Sequence, residues 1–254
     1  MKTSNKLLTA LAIICMIVMI GIMTIIRSHA TIPNPHPDGT SEDFIITHTE
    51  PIVATHFDLG HNNRYFLDSE MEGIKISGPK YAVEALQYIN DTDLAFTYSG
   101  TPNAAQTELN ITIGTKNLPI EKILVTGNAL CESDRSLYPI TDIEIHGNAV
   151  VRKINIEATT ANIEVHGNGK ATIQVSADKV NANVQGNSDL YFKNESTINR
   201  MNVDVGGNAS LDAEKVNYLT GRVDGNAKLD VDNVKTEGNV STSGNGRDKS
   251  NYRN

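Results

Sequence analysis

The chain has 254 residues, enough for one sizeable domain or for one elongated repeat array joined to a membrane tether. Its formal net charge is −8, only 5% of its residues are aromatic, and it contains no Trp. Nucleic acid requires a basic surface, so an acidic, aromatic-poor chain excludes it as an expected partner. The two cysteines, Cys15 and Cys131, fit neither a disulfide framework nor a zinc-binding pattern.

The first predicted element is an apolar segment from Leu7 to Ile26, which carries no charge. A helix of this length spans roughly 30 Å of hydrocarbon. Lys2 and Lys6 precede it, so the positive-inside rule places the N-terminus in the cytoplasm and the body outside. We therefore predict a membrane anchor or signal segment at residues 1–27. Cleavage of a signal peptide after Ala30 is the alternative, and both send the body across the membrane.

A Pro-rich linker follows at residues 28–43. Pro33, Pro35 and Pro37 alternate with other residues, which favours an extended, semi-rigid spacer between membrane and body.

Residues 43–114 combine strand and helix signals. Apolar and polar residues alternate in Gly73–Gly78 and again in Asp93–Gly100, which predicts a strand in each segment. Between them, Pro79 can open a helix. One face of that helix would carry Ala82, Ala85, Leu86 and Ile89. We predict a strand, a short helix and a strand.

The second half of the chain contains a repeat marked by Gly-Asn pairs at spacings of 18 to 21 residues. The pairs are Gly127 and Asn128, Gly147 and Asn148, Gly167 and Asn168, Gly186 and Asn187, Gly207 and Asn208, Gly225 and Asn226, and Gly244 and Asn245. A period near 20 that persists over six intervals is typical of stacked repeats.

The residues around each pair keep the same phase. Apolar residues precede the glycine by four and two positions, as Ile143 and Ile145 precede Gly147, and a small residue such as Ala149 follows by two. Such alternation predicts strands with one buried face. Gly and Asn tolerate positive φ and can turn the chain sharply. The asparagines would then stack into a hydrogen-bonded ladder.

These patterns predict an all-β fold, a right-handed parallel β-helix or solenoid with coils of about 20 residues, preceded by one N-terminal transmembrane helix. The solenoid domain would occupy residues 44–245, and a polar, disordered tail would occupy residues 246–254.

The segment Gly73–Leu86 (GIKISGPKYAVEAL), the later DLAFTYSG and the recurring I-x-V-x-G-N-A units resemble the autotransporter adhesin head family, also called the GIN domain family. The resemblance covers about residues 44–235. It implies an export signal, a β-helical body and, by the family's name, adhesion. The family more often has Gly-Ser or Gly-Asp where this chain has Gly-Asn. It offers no catalytic residues to transfer, and a fold alone does not establish a function.

Two columns of outward side chains are candidates for chemistry. His146 and His166 should stack about 5 Å apart, but two imidazoles without a third ligand make a poor zinc site. Glu144 and Glu164 should stack likewise, and paired carboxylates can hold a cation or act as acid and base. The simpler interpretation of both columns is a solvated strand face. We therefore expect no catalytic residues, no cofactor and no metal site.

The leading hypothesis is a non-enzymatic protein of the bacterial cell envelope that presents its solenoid for adhesion or surface interaction. Its expected partners are the membrane, through the N-terminal helix, and a polysaccharide or another envelope protein. A β-helical carbohydrate-active enzyme and an envelope scaffold that binds a membrane protein are the alternatives. The sequence leaves the oligomeric state and the choice of envelope membrane open.

Overall fold

The structure, a computed structural model, describes residues 43–99 and 104–252. This part of the chain is mostly β structure, with 18 strands in one continuous hydrogen-bonded sheet. Its helices are α1 (Lys80–Ala85) and a 3-10 turn (Ala104–Gln106). The strands are β1 (Asp43–His48), β2 (His56–Leu59), β3 (Arg64–Asp68), β4 (Ile74–Pro79), β5 (Leu86–Asn90), β6 (Asp93–Tyr98), β7 (Asn110–Gly114), β8 (Lys122–Val125), β9 (Leu130–Ser133), β10 (Leu137–Tyr138), β11 (Asp142–Gly147), β12 (Val150–Gly167), β13 (Lys170–Gly186), β14 (Asp189–Phe192), β15 (Thr197–Gly207), β16 (Ser210–Val223), β17 (Lys228–Thr242) and β18 (Arg247–Asp248).

The repeats stack as parallel coils, which confirms the predicted β-solenoid. Ile143 lies between Ile123 and Ile163 in register, one coil to either side. Three parallel ladders run along the stack. The first contains the strands before the Gly-Asn corner, the second those directly after it, and the third the return segments such as β10 and the start of β15. Seven glycine corners bound six turns.

Apolar side chains at alternate positions of the strands fill the interior. Ile123, Ile143 and Ile163 are at most 1% exposed, while residues between apolar positions, such as Glu144 and Glu164, face outward. Burying a column of branched side chains stabilises the stack, because one coil alone cannot remove its apolar face from water.

One coil of the stack carries no Gly-Asn pair and was not predicted from the sequence. Strand β2 pairs in parallel with both β6 and β8, and β3 pairs with both β7 and β9. Residues 56–68 therefore form a coil between residues 93–114 and residues 122–133, which is not the order of the sequence. This coil has His61-Asn62 at its corner in place of Gly-Asn, and His61 adopts a φ of 69°.

Antiparallel strands close the end of the stack beyond this coil. Strand β4 pairs antiparallel with β1 and β7, and β5 pairs antiparallel with β6. Helix α1 begins after Pro79 as predicted but ends at Ala85. The placement of Leu86 and Ile89 on its face was wrong, because β5 gains backbone hydrogen bonds from β6 that a longer helix would lose.

The predicted disordered tail also needs correction. Arg247–Asp248 pairs with β17, and Tyr252 bridges to Val234, because these residues continue two of the ladders over the last coil. The predicted membrane segment, Leu7 to Ile26, lies outside the described residues, as does nearly all of the linker. Within residues 43–99 and 104–252, no helix is long and apolar enough to cross a membrane. The handedness of the solenoid stays a prediction.

Candidate interaction surface

The corner asparagines form a continuous ladder of side-chain hydrogen bonds. Each side-chain amide nitrogen from Asn148 to Asn245 donates to the amide oxygen of the asparagine one coil earlier, at 2.9 to 3.0 Å. Each Asn backbone N–H from Asn148 to Asn245 also donates to the carbonyl of the preceding corner glycine, at 2.6 to 2.8 Å. The structure thus brings the predicted turn residues into one column. The ladder members are Asn128, Asn148, Asn168, Asn187, Asn208, Asn226 and Asn245.

The glycines of the same column adopt a backbone conformation that residues with a side chain rarely adopt. Gly167 has a φ of +86°, and a Cβ placed there would lie 2.9 Å from the carbonyl oxygen of Gly147. The adjacent coil is close enough to exclude a side chain, so these positions require glycine for both backbone conformation and contact distance.

The strands before the corners present charged side chains that pair across coils. The Glu144 carboxylate lies 2.7 Å from the Lys122 ammonium, and the Arg222 guanidinium lies 3.1 Å from Asp204. His146 and His166 stack with ring centroids 5.2 Å apart and an angle of 6° between the rings. Their partners are glutamates of their own coils. The His146–Glu144 distance is 3.8 Å, and the His166–Glu164 distance is 3.3 Å.

The strands after the corners carry a second set of ion pairs. Glu132 accepts from Arg152 at 2.7 Å and from Lys153 at 2.8 Å. Burial raises the pKa of Glu132, but these two cations outweigh it, and the net pKa is lowered. Lys228 lies 2.8 Å from Asp230 and 3.5 Å from Asp212. Most charges here are neutralised by a neighbour, which is typical of a solvated strand face.

The described residues offer no complete set of metal ligands. Among residues 43–99 and 104–252, no group of three or more His, Cys, Asp or Glu side chains is placed to hold an ion. Cys131 is fully buried, and burial raises the pKa of its thiol to about 12. It packs in the core as an apolar side chain. Thiol reactivity requires the thiolate, which the raised pKa disfavours.

A polar network joins the loop after β3 to the segment between β9 and β10. The Asp134 carboxylate accepts hydrogen bonds from the Ser69 hydroxyl and backbone N–H, the Ser136 N–H and the Tyr138 hydroxyl. Burial raises the pKa of Asp134, but these donors stabilise its charged form more strongly and lower the pKa to about 2. The network fixes a loop and leaves little carboxylate capacity for a ligand.

A polar groove of about 1030 Å³ lies on the return side of the solenoid. Its lining comes from five successive coils, from Pro139 at one end to Asn217 at the other. Hydroxyl and amide side chains dominate it, with three charged groups, Glu157, Asp178 and Lys215. Sequence reasoning missed the groove because its residues carry no motif. The only signal was a run of Ser, Thr and Asn outside the Gly-Asn phase.

Residues 60–248 match the model of a family described as "Putative auto-transporter adhesin, head GIN domain". A solved putative adhesin from Bacteroides fragilis is 15% identical, with a TM-score of 0.63 and coverage of 84% of this chain and 96% of that one. A putative adhesin from Parabacteroides distasonis is 16% identical, with a TM-score of 0.63 and coverage of 85% and 94%.

A third structure, named putative lipid binding protein and also from Parabacteroides distasonis, is 10% identical, with a TM-score of 0.56 and coverage of 84% and 97%. At these identities the likeness concerns the fold alone. No curated protein matches the chain.

Proposed function

The chain belongs to the auto-transporter adhesin head family with the GIN domain, and we propose that it is a non-enzymatic adhesin-like protein of the bacterial cell envelope. The observation that carries the proposal is the family match over residues 60–248, together with a stack whose outward columns repeat at every coil. Such columns suit ligands that repeat themselves. Binding would sum many weak contacts along the array, and the sum exceeds any single contact.

The proposal includes a tether. The uncharged segment from Leu7 to Ile26 would anchor the chain as a single-pass helix, and Lys2 and Lys6 would keep the N-terminus in the cytoplasm. The solenoid would then face the periplasm or the exterior, separated from the bilayer by the Pro-rich linker. Cleavage after Ala30 would instead release it. A right-handed solenoid is part of the same proposal.

The paired glutamates distinguish this function from the enzyme alternative. Glu144 already pairs with Lys122, and Glu164 lies 3.3 Å from His166, so both have structural partners. We expect the double variant Glu144→Gln with Glu164→Gln to retain adhesion. Incubation of the wild-type chain with polysaccharides should leave their length unchanged in size-exclusion chromatography. If the wild-type protein shortened a polysaccharide and the double variant did not, the enzyme alternative would be established.

Adhesion itself is tested on cells. A bacterial host would express the full chain with a C-terminal tag, and retention of the cells would be counted on surfaces coated with polysaccharides or matrix proteins. The matched control is the same host with residues 1–43 alone, which keeps the predicted anchor and linker. Retention equal to that of the control on every surface would refute adhesion. External protease should remove the tag from spheroplasts, and a protected tag would refute the topology.

A further inference from the structure

The return-side groove results from a change in the length of the return turn, the segment that joins the third ladder to the next strand before a Gly-Asn corner. Tyr138 pairs with Ile156 and Asp142 pairs with Asn162, so the later coil has two more residues between these positions. The next coil keeps that longer return turn, since Ile156 pairs with Val175 and Asn162 with Asn181. The groove thus begins where a coil with a short return turn meets coils with longer ones. Its lining spans five coils, which at ~4.8 Å per coil is about 19 Å along the stack.

Apolar side chains form a strip between two polar columns in the groove. Ala158, Ala177 and Ile198 occupy consecutive register positions, and the latter two are 9% and 4% exposed. On one side stand Glu157, Ser176 and Thr197, which also pair in register. On the other side stand Thr159, Asp178, Asn199 and Asn217. A ligand on this strip would meet hydrogen-bonding groups on both flanks at four successive coils.

The polar side chains are held in place by one another and still have unused capacity. Thr197 donates to Ser176 at 2.9 Å, and the Asn217 amide donates to the Asn199 oxygen at 3.2 Å. The Ser176 proton, the Asn199 amide nitrogen and the Asn217 amide oxygen have no partner among the described residues. Both donors and acceptors therefore remain for a ligand, which is the requirement for recognising hydroxyl groups.

The charges of the groove do not favour a charged ligand. Glu157, Asp178 and Lys215 line it, and none of them forms an ion pair within the described part of the chain. Lys179 and Arg200, which pair in register, stand exposed beside it. Carboxylates and cations are thus mixed, so neither a polyanion nor a polycation gains a net attraction. Next to Asn217, Tyr218 is 41% exposed, and an exposed tyrosine ring is a surface on which a sugar ring can pack.

We propose that this groove binds a linear, uncharged polysaccharide laid along the solenoid axis. The proposal rests on the proposed adhesive function and assigns it a site and a ligand class. Repeated hydroxyls of the ligand would meet repeated hydroxyl and amide side chains, one set per coil. A protein strand is a poorer fit, because the ladders at the groove are already paired on both sides and leave no sheet edge.

The test is a binding assay with the full chain in mild detergent and with dextran, mannan and xylan as probes, and polygalacturonate as the anionic comparison. The groove variant is Asn199→Ala with Asn217→Ala, which removes both members of a hydrogen-bonded pair and leaves neither unsatisfied. Asn202→Ala with Thr220→Ala is the matched control. These residues belong to the same two coils and form a hydrogen bond of 3.3 Å outside the groove.

Saturable binding of at least one uncharged probe, weakened about tenfold or more in the groove variant and less than twofold in the control, is expected. Both variants should keep the circular dichroism spectrum of the wild-type chain. Equal weakening in both variants, no weakening in either, or binding of polygalacturonate alone would overturn the groove assignment. If the chain still retains cells on coated surfaces in those cases, the adhesive function stands without this groove. Loss of retention on every surface refutes both.

Discussion

Replacing one corner glycine tests whether the tight turn sets the stability of the stack. Gly167→Ala places a methyl group on a residue with a φ of +86°. It also brings that methyl 2.9 Å from the Gly147 carbonyl oxygen, which accepts a hydrogen bond from Asn168 at 2.8 Å. The left-handed conformation costs about 1–2 kcal/mol for a non-glycine residue. Pushing back the neighbouring coil costs roughly 1–3 kcal/mol more.

We therefore expect Gly167→Ala to lower the free energy of unfolding by about 2–5 kcal/mol. Gly169→Ala, two residues along, is the matched control. Gly169 has no positive φ, and the preceding coil has Ala149 at the same position. A Cβ at Gly169 would lie 3.0 Å from the Ile145 and Val165 side chains and 3.4 Å from the His166 carbonyl oxygen. A gain of about 0.4–1 kcal/mol from the less flexible unfolded chain should offset most of that crowding.

Urea titration followed by circular dichroism measures the effect, because the chain has no Trp for fluorescence. The shift of the midpoint gives the change in stability if the slope is unchanged. A changed slope would indicate that coils unfold separately, as repeat arrays can. Hydrogen exchange would then locate the loss. Equal midpoints for Gly167→Ala and Gly169→Ala would refute the argument from backbone conformation and coil contact.

Three further predictions concern the ladder, the core and the acid network. Asn168→Ala removes two ladder hydrogen bonds and should cost about 1–2 kcal/mol, roughly twice the cost of Asn128→Ala at the ladder end; equal urea midpoints would contradict this. Ile163→Ala should cost about 2–5 kcal/mol by the same titration, because the side chain is fully buried, whereas the outward Glu164→Ala should cost under about 0.5 kcal/mol. Asp134 has a folded pKa of about 2 against an ordinary 3.8, so its stabilisation is present above the ordinary value and is lost as the pH falls between the two. Asp134→Asn should abolish that component, about 1–2 kcal/mol after solvent screening, and an unchanged acid dependence would refute the assignment.

The corners and the buried columns could be predicted from the sequence because their causes are local. Gly147, which has a φ of 82°, marks a turn that glycine adopts readily, and the alternation of Ile143 and Ile145 with polar residues indicates which side faces inward. The coil period then follows from the distance between turns, so the solenoid was predictable without any knowledge of contacts between coils.

The coil of residues 56–68 and the groove depended on tertiary structure. His61 takes the left-handed conformation without glycine, because the coil at Gly127 packs against its carbonyl and the Asn128 N–H donates to it at 3.0 Å. No local pattern indicates that residues 56–68 lie between two later segments, since that order results from pairing over long sequence separations. The groove likewise results from a return turn whose length differs by two residues between adjacent coils. The sequence by itself determined where the chain turns and which side chains are buried, because φ preferences and periodicity belong to short segments. Only the packing of one coil on another decided their order and the shape of the surface they expose.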